Sequence, residues 1–266
     1  MEHEVPVAPN ATGQFSVTQA ELFSELIIMT TKSLSPTIGM YTDHYSERVP
    51  TAIVFDFDGL ICDTEGAQVA AVAARFEAHG ATFPLDRWMQ TIGTSTPEDN
   101  WVPWLAEQVA GNFDAFRAFR DFQAHNRELV LALKPNPGIE SVLDMAASAG
   151  VPVAIASSSP STWIEPLLVN LGLRSAFEIV VSREQVVHAK PAPDLYLLAL
   201  KRLGLSSADS VVALEDSRNG SLAAVAAGLH CVAVPGAVTA QQDFSHVQRR
   251  LKTLAEITAL HQLLQT

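Results

Sequence analysis

Two aspartates stand one residue apart where an apolar run stops, in Ile53-Val54-Phe55-Asp56-Phe57-Asp58-Gly59. Such a run reads as a buried parallel strand. Open α/β sheets bind ligands in the crevice at the carboxyl ends of their strands. Acids at i and i+2 of a strand end point to one side, so both can converge on one ligand. Asp56, at the strand tip, is the candidate nucleophile toward phosphorus. Asp58 is the candidate acid that protonates the leaving oxygen and then activates water. That division of labour requires two carboxyl groups in different environments.

Three later segments carry complementary groups. Ser157-Ser158-Ser159 follows an apolar run at 152–156, and its hydroxyls and N–H groups suit an anion. The same serines also read as plain helix capping before Pro160. Lys190 lies in His188-Ala189-Lys190-Pro191-Ala192-Pro193-Asp194. Two prolines stiffen the backbone behind this ammonium, and Asp194 is expected to cap the helix that follows. Glu215-Asp216 closes the run Val211-Val212-Ala213-Leu214. Asp216 would complete a magnesium site with Asp56 and the backbone carbonyl of Asp58. Glu215 would stand behind them and orient a ligand water.

The elements that must position these groups alternate from residue 51 onward. Strands are predicted at 52–56, 152–156, 178–182, 210–214 and 231–234. Helices are predicted at 138–149, 160–172, 193–203 and 219–228, with Gly150, Gly204 and Gly228 as their stops. This alternation predicts an α/β fold, a doubly wound parallel sheet. Residues 65–135 break it and read as helices alone: Ala67–His79, Leu85–Thr91, Pro97–Val109 and Phe113–Leu133, with Gly80 and Gly111 as helix ends. The expected domains are therefore a core of 51–64 plus 136–266 and an inserted helical cap at 65–135. Residues 1–50 read as a flexible N-terminal extension, with one short helix suggested by the capping box Thr18 to Glu21.

Composition narrows the partners. The 266 residues are 48% hydrophobic and 17% charged, enough apolar surface for a sizeable core. A net charge of -12 disfavours nucleic acid and anionic membranes. An anionic substrate must then be held by local groups: a metal, a lysine, backbone N–H groups. Two cysteines, Cys62 and Cys231, offer no zinc-ligand spacing and suit a reducing, cytoplasmic setting. The acidic start, Glu2 and Glu4, is unlike a signal peptide. Trp88, Trp101 and Trp104 read as packing within the cap, and Cys62 as a small buried filler.

Taken in order, the four segments resemble the haloacid dehalogenase-like hydrolases. Asp56-Phe57-Asp58-Gly59 is similar to the first motif of that superfamily, Ser157 to the second, Lys190 to the third and Glu215-Asp216-Ser217 to the fourth. Asp58-Gly59-Leu60-Ile61-Cys62-Asp63-Thr64-Glu65 resembles the phosphoglucomutase-like branch. The resemblance implies a Rossmann-like core, an aspartyl-phosphate intermediate and Mg2+. It places metal ligands at Asp56, Asp58 (through its carbonyl) and Asp216, and phosphate contacts at Ser157, Ser158 and Lys190. Asp58 departs from the dehalogenases, which lack the second acid. No lysine lies between Asp63 and Leu133, unlike phosphonate-cleaving relatives. Glu65-Gly66-Ala67-Gln68 lacks the mutases' cap histidine, and Gly93-Thr94-Ser95-Thr96-Pro97 lacks their arginine.

The expectation is thus a magnesium-dependent phosphatase for a small phosphorylated metabolite such as a sugar phosphate, as a monomer or weak dimer. A sugar-phosphate mutase and a non-catalytic regulatory protein on the same fold are the alternatives.

Overall fold

A computed structural model of the chain describes residues 48–89 and 100–266. The helix expected near Thr18, the cap loop at 93–97 and the helix start at Pro97 fall outside these residues. The strands are β1 (Ala52–Phe55), β2 (Val153–Ala156), β3 (Ile179–Val181), β4 (Val211–Glu215), β5 (His230–Ala233) and β6 (Arg249–Arg250). They form one parallel sheet in the order β3-β2-β1-β4-β5-β6. Helices α5 (Ile139–Ala149), α6 (Ser161–Asn170), α7 (Asp194–Arg202) and α8 (Arg218–Ala226) connect them.

β1, β2 and β3 are wholly apolar and β4 and β5 mostly so, because both faces are covered. Ile53, Phe55, Ile155, Val212 and Leu214 enter one core cluster, while Ala52, Val54, Ala154, Val211 and Ala213 enter another on the opposite face. Period-two alternation thus splits β1, β2 and β4 between two cores. Register does the rest: Phe55 pairs with Ile155 on one side and Leu214 on the other. The residues just beyond that row are therefore brought to one edge, Asp56 beside Ser157 and Glu215-Asp216.

Between β1 and α5 the chain makes α1 (Thr64–Ala78), α2 (Leu85–Met89), α3 (Trp101–Ala106) and α4 (Ala115–Leu131). Asp63 caps α1 by accepting from the Gly66 N–H at 2.9 Å, and Asp114 caps α4 through the Arg117 N–H at 2.9 Å. The long helices α1 and α4 pack against each other. They share a third apolar cluster with the tryptophans: Val72, Phe76, Trp88, Trp101, Trp104, Leu105 and Phe122. Trp101 and Phe122 meet with ring centroids 5.4 Å apart. The two crossings into this helical unit are tied together, since Asn136 Nδ2 donates to the carbonyls of Gly59 (2.8 Å) and Leu60 (2.9 Å).

Some expectations need correction. Gly111, with φ +92°, lies in a loop, because α3 stops at Ala106. Asp194 opens α7 without capping it; Pro193 is the N-cap, and the Asp194 carboxylate accepts from the His188 N–H at 3.3 Å. The segment after β6 forms 3-10 turns, Leu254–Glu256 and Leu260–Leu264, and adds Leu254, Leu260 and Leu263 to the first core cluster. Among the described residues no helix is long and apolar enough to cross a membrane.

Trp101 is fully buried in the helical cluster. Trp101→Ala should lower the free energy of unfolding by about 3–5 kcal/mol through lost burial and the cavity left behind. Chemical denaturation measures this, and a loss below about 1 kcal/mol would contradict the assigned packing.

Candidate active site

β1 delivers Asp56, whose backbone N–H continues the ladder to the Leu214 carbonyl at 2.9 Å. Its carboxylate is buried and bonded to the Lys190 ammonium. Lys190 also donates to Glu215 Oε1 at 2.6 Å. Tyr196, one turn into α7, donates its hydroxyl to the same oxygen at 2.6 Å, and its ring centroid lies 5.2 Å from the Lys190 Nζ. Ser217 completes the set from the other side, with its hydroxyl 3.3 Å from Glu215 Oε2. Glu215 therefore fixes Lys190, where the sequence suggested a role behind a metal-bound water. A Cβ on Gly220 would stand 1.9 Å from Glu215 Oε1, so only glycine lets α8 start above this carboxylate.

Asp216 lies on the other side of Asp56. Its Oδ2 accepts from the Thr239 hydroxyl at 3.4 Å, while its buried Oδ1 has no hydrogen-bond partner. Gly59, at φ +74°, leaves the space Asp216 occupies: a Cβ there would sit 2.2 Å from Asp216 Oδ2. One oxygen each from Asp56, Glu215 and Asp216 lie within 4.8 Å of one another.

Asp58 is held by four hydroxyl or indole donors. Thr64 Oγ1 (2.9 Å) and Trp163 Nε1 (2.8 Å) reach Oδ1, while Ser159 Oγ (2.6 Å) and Ser157 Oγ (3.5 Å) reach Oδ2. The Ser158 hydroxyl beside them is buried without a partner. All the residues singled out in the sequence (Asp56, Asp58, Ser157, Ser158, Lys190, Glu215, Asp216) thus lie along one edge of the sheet.

The site carries an excess of negative charge. Burial pushes the Asp56 carboxyl up to about 7, against the opposing pull of Lys190. Burial raises Asp216 well above the usual carboxylate range, and Glu65, Asp56 and Glu215 add to the effect. Glu65, in the first turn of α1, is raised in the same way by burial and by Asp58, Asp56, Asp63 and Glu215. Burial alone would lower Lys190, but Asp56 and Glu215 outweigh it and hold the ammonium above its ordinary value. The buried Cys62 thiol is pushed up to about 12, first by burial and then by Asp58, so it is no nucleophile. Crowded acids with one unpartnered buried oxygen fit a hard divalent cation between Asp56 and Asp216.

Sequence reading missed several contributors. Tyr196, Trp163 and Thr239 were not singled out, and Thr64 and Glu65 entered only as part of the stretch Asp58 to Glu65. Only the acid-rich stretch Asp58 to Glu65 carried a signal that could have found any of them.

A family model for haloacid dehalogenase-like hydrolases matches residues 50–228. YhcW of Bacillus subtilis, a relative named as a phosphatase, is 37% identical over 206 residues, covering 77% of this chain and 93% of YhcW. A phosphorylated carbohydrates phosphatase of Thermotoga maritima is 32% identical over 180 residues, covering 67% and 82% of the two chains. The crystal structure of CbbY from Rhodobacter sphaeroides in complex with phosphate superposes with a TM-score of 0.65 at 28% identity, over 80% of this chain and 99% of that one. The chain belongs to the haloacid dehalogenase-like hydrolases, on their phosphoglucomutase-like branch. The enzyme is a phosphatase.

The buried acids set a pH signature. Asp56 holds its proton more tightly in the fold (about 7) than in the unfolded chain (3.8). The folded state therefore binds more protons between those values, and unfolding free energy falls as pH rises through that window. A divalent cation favours the ionised carboxylates and opposes the slope. Chelator-treated protein should lose thermal stability from about pH 4 to about pH 7, and an added divalent cation should restore most at the upper end. A cation effect equal at both ends would contradict this.

Proposed function

We propose that this phosphatase depends on magnesium and hydrolyses a small phosphorylated sugar through an aspartyl-phosphate on Asp56. The observation that carries the reading is the buried row Asp56, Lys190 and Asp216, which joins a nucleophile, an ammonium and an unpartnered carboxylate oxygen at one strand edge. The sugar is supported by the relative named as a phosphatase of phosphorylated carbohydrates.

Asp56, Asp216 and the carbonyl of Asp58 would hold the ion, which would neutralise charge on a phosphate oxygen when bound. Lys190 neutralises a further equatorial oxygen. Its position is fixed by Glu215 and Tyr196, so no reorganisation is needed as charge develops. Ser157 and Ser158 offer hydroxyls to the phosphoryl group. An Asp56 oxygen attacks phosphorus in line with the ester oxygen, and the P–O ester bond breaks. Asp58 gives its proton to the departing alcohol. It then takes a proton from the water that attacks the aspartyl-phosphate, and the carboxylate of Asp56 is released. The helical unit starts at this edge, where Thr64 donates to Asp58, and would exclude bulk water in the first step.

Asp56→Asn should lower turnover of p-nitrophenyl phosphate in magnesium buffer by at least about a thousandfold, as loss of a nucleophile does elsewhere. Phosphate release across a panel of pentose and hexose phosphates should rise above that from p-nitrophenyl phosphate for at least one sugar. Retained turnover in Asp56→Asn would remove Asp56 from its role. Isomerisation of glucose 1-phosphate faster than phosphate release would favour a mutase.

A further inference from the structure

Asp58 has two carboxylate oxygens, and only one of them can face a leaving group. The donors around it are not equivalent. An indole N–H can donate and cannot accept. Trp163 Nε1 lies 2.8 Å from Oδ1. Thr64 Oγ1 accepts the Gly59 N–H at 3.1 Å and donates its hydrogen to Oδ1 at 2.9 Å. Oδ1 is thus saturated by two donors, one of which has no other mode. Oδ2 meets only serine hydroxyls, which can donate or accept.

We propose that Trp163 is a positioning residue that keeps Oδ1 of Asp58 unprotonated and so makes Oδ2 the oxygen that carries the transferable proton. The inference rests on Asp58 being the acid and base of the proposed phosphatase reaction. Oδ2 lies on the Ser157–Ser159 side, where the phosphoryl group would sit. In the first step the Oδ2–H bond breaks and its proton goes to the ester oxygen. That oxygen keeps the electron pair of the breaking P–O bond, while Asp56 supplies the pair for the new one. In the second step water supplies the pair to phosphorus, its proton goes to Oδ2, and the Asp56–phosphorus bond breaks with its pair returning to Asp56.

The fold puts Trp163 there for a local reason. It is the third residue of α6, and side chains in a helix lean toward the N-terminus. The N-terminus of α6 follows directly on Ser157–Ser159, so the indole is carried back over the end of β2. Its ring packs against the first core cluster while the N–H projects into the site. The residue therefore serves a packing role as well, and a test has to separate the two.

Leaving-group dependence separates them. p-Nitrophenolate departs without an acid, whereas an alkyl oxygen needs one, and hydrolysis of the aspartyl-phosphate needs the base with either substrate. Trp163→Phe, assayed with magnesium, should phosphorylate from p-nitrophenyl phosphate at a rate close to that of the parent enzyme and then accumulate aspartyl-phosphate in rapid-quench samples. With an alkyl phosphate such as a hexose 6-phosphate its phosphorylation should slow roughly ten- to hundredfold, the scale of one lost donor to a charged group. Trp163→His, which keeps a ring N–H, should recover part of that loss. Equal rate factors for both substrates, or no accumulation with the aryl ester, would overturn the assignment. If Trp163→Phe does not fold, benzothienylalanine at position 163 keeps the ring shape and removes only the N–H, with the same outcomes expected. Absence of aspartyl-phosphate in the parent enzyme and every variant would instead sink the phosphatase mechanism itself. Aspartyl-phosphate formation with Trp163→Phe kinetics like the parent's would overturn the Trp163 inference alone.

Discussion

The structure depends on one buried ammonium. Lys190 is 6% exposed and lies between the carboxylates of Asp56 and Glu215. A charge taken out of water at this depth is costly unless it is paired and hydrogen-bonded. Here the ammonium has two carboxylate partners, and Glu215 is itself held by the neutral hydroxyls of Tyr196 and Ser217. Removing Lys190 would leave the buried carboxylates of Asp56 and Glu215 without a counter-charge. The register of β1 against β4, the glycine at 220 and the placement of α7 all follow from keeping this group together. The same geometry leaves Asp56 with one neighbour that is positive and one, Asp216, whose free oxygen calls for a positive partner.

Much of this was legible in the sequence, and for a definite reason. Parallel strands buried on both faces are unbroken apolar runs, so an acid at the end of one stands out. Asp56 and Glu215-Asp216 were visible in that way, and the five predicted strands overlap β1 to β5. β6 was not visible: it is only Arg249-Arg250, a charged pair with no apolar run, and its place in the sheet comes from pairing with Val232 and Ala233. Trp163 and Tyr196 were illegible because an aromatic on an amphipathic helix reads as core, and both do pack there. What matters chemically is a single polar atom on each, aimed by tertiary structure. Asp194 misled for a similar reason. An acid after Pro-x-Pro looks like a cap, yet Asp194 binds back to His188 across the lysine loop.

The two parts of the molecule are held by different physics. The sheet unit has two apolar cores divided by the strands, and the helical unit has its own aromatic cluster. Contacts between them include Ala67 on α1 and Val130 on α4, both buried in the first core cluster. Leu129 on α4 touches both the first core cluster and the aromatic cluster, and Val238, next to Thr239, packs on the latter. Thr239 in turn reaches Asp216. Asn136 ties the two crossings into the helical unit through the Gly59 and Leu60 carbonyls.

The most direct measurement is a crystal structure of the enzyme grown with magnesium and beryllium fluoride, a mimic of a phosphoryl group on aspartate. The account predicts fluoroberyllate joined to an Asp56 oxygen, with Lys190 and Ser157 on its fluorines and one cation ligated by Asp56 and Asp216. Fluoroberyllate on another residue, or a cation that leaves Asp216 untouched, would contradict it.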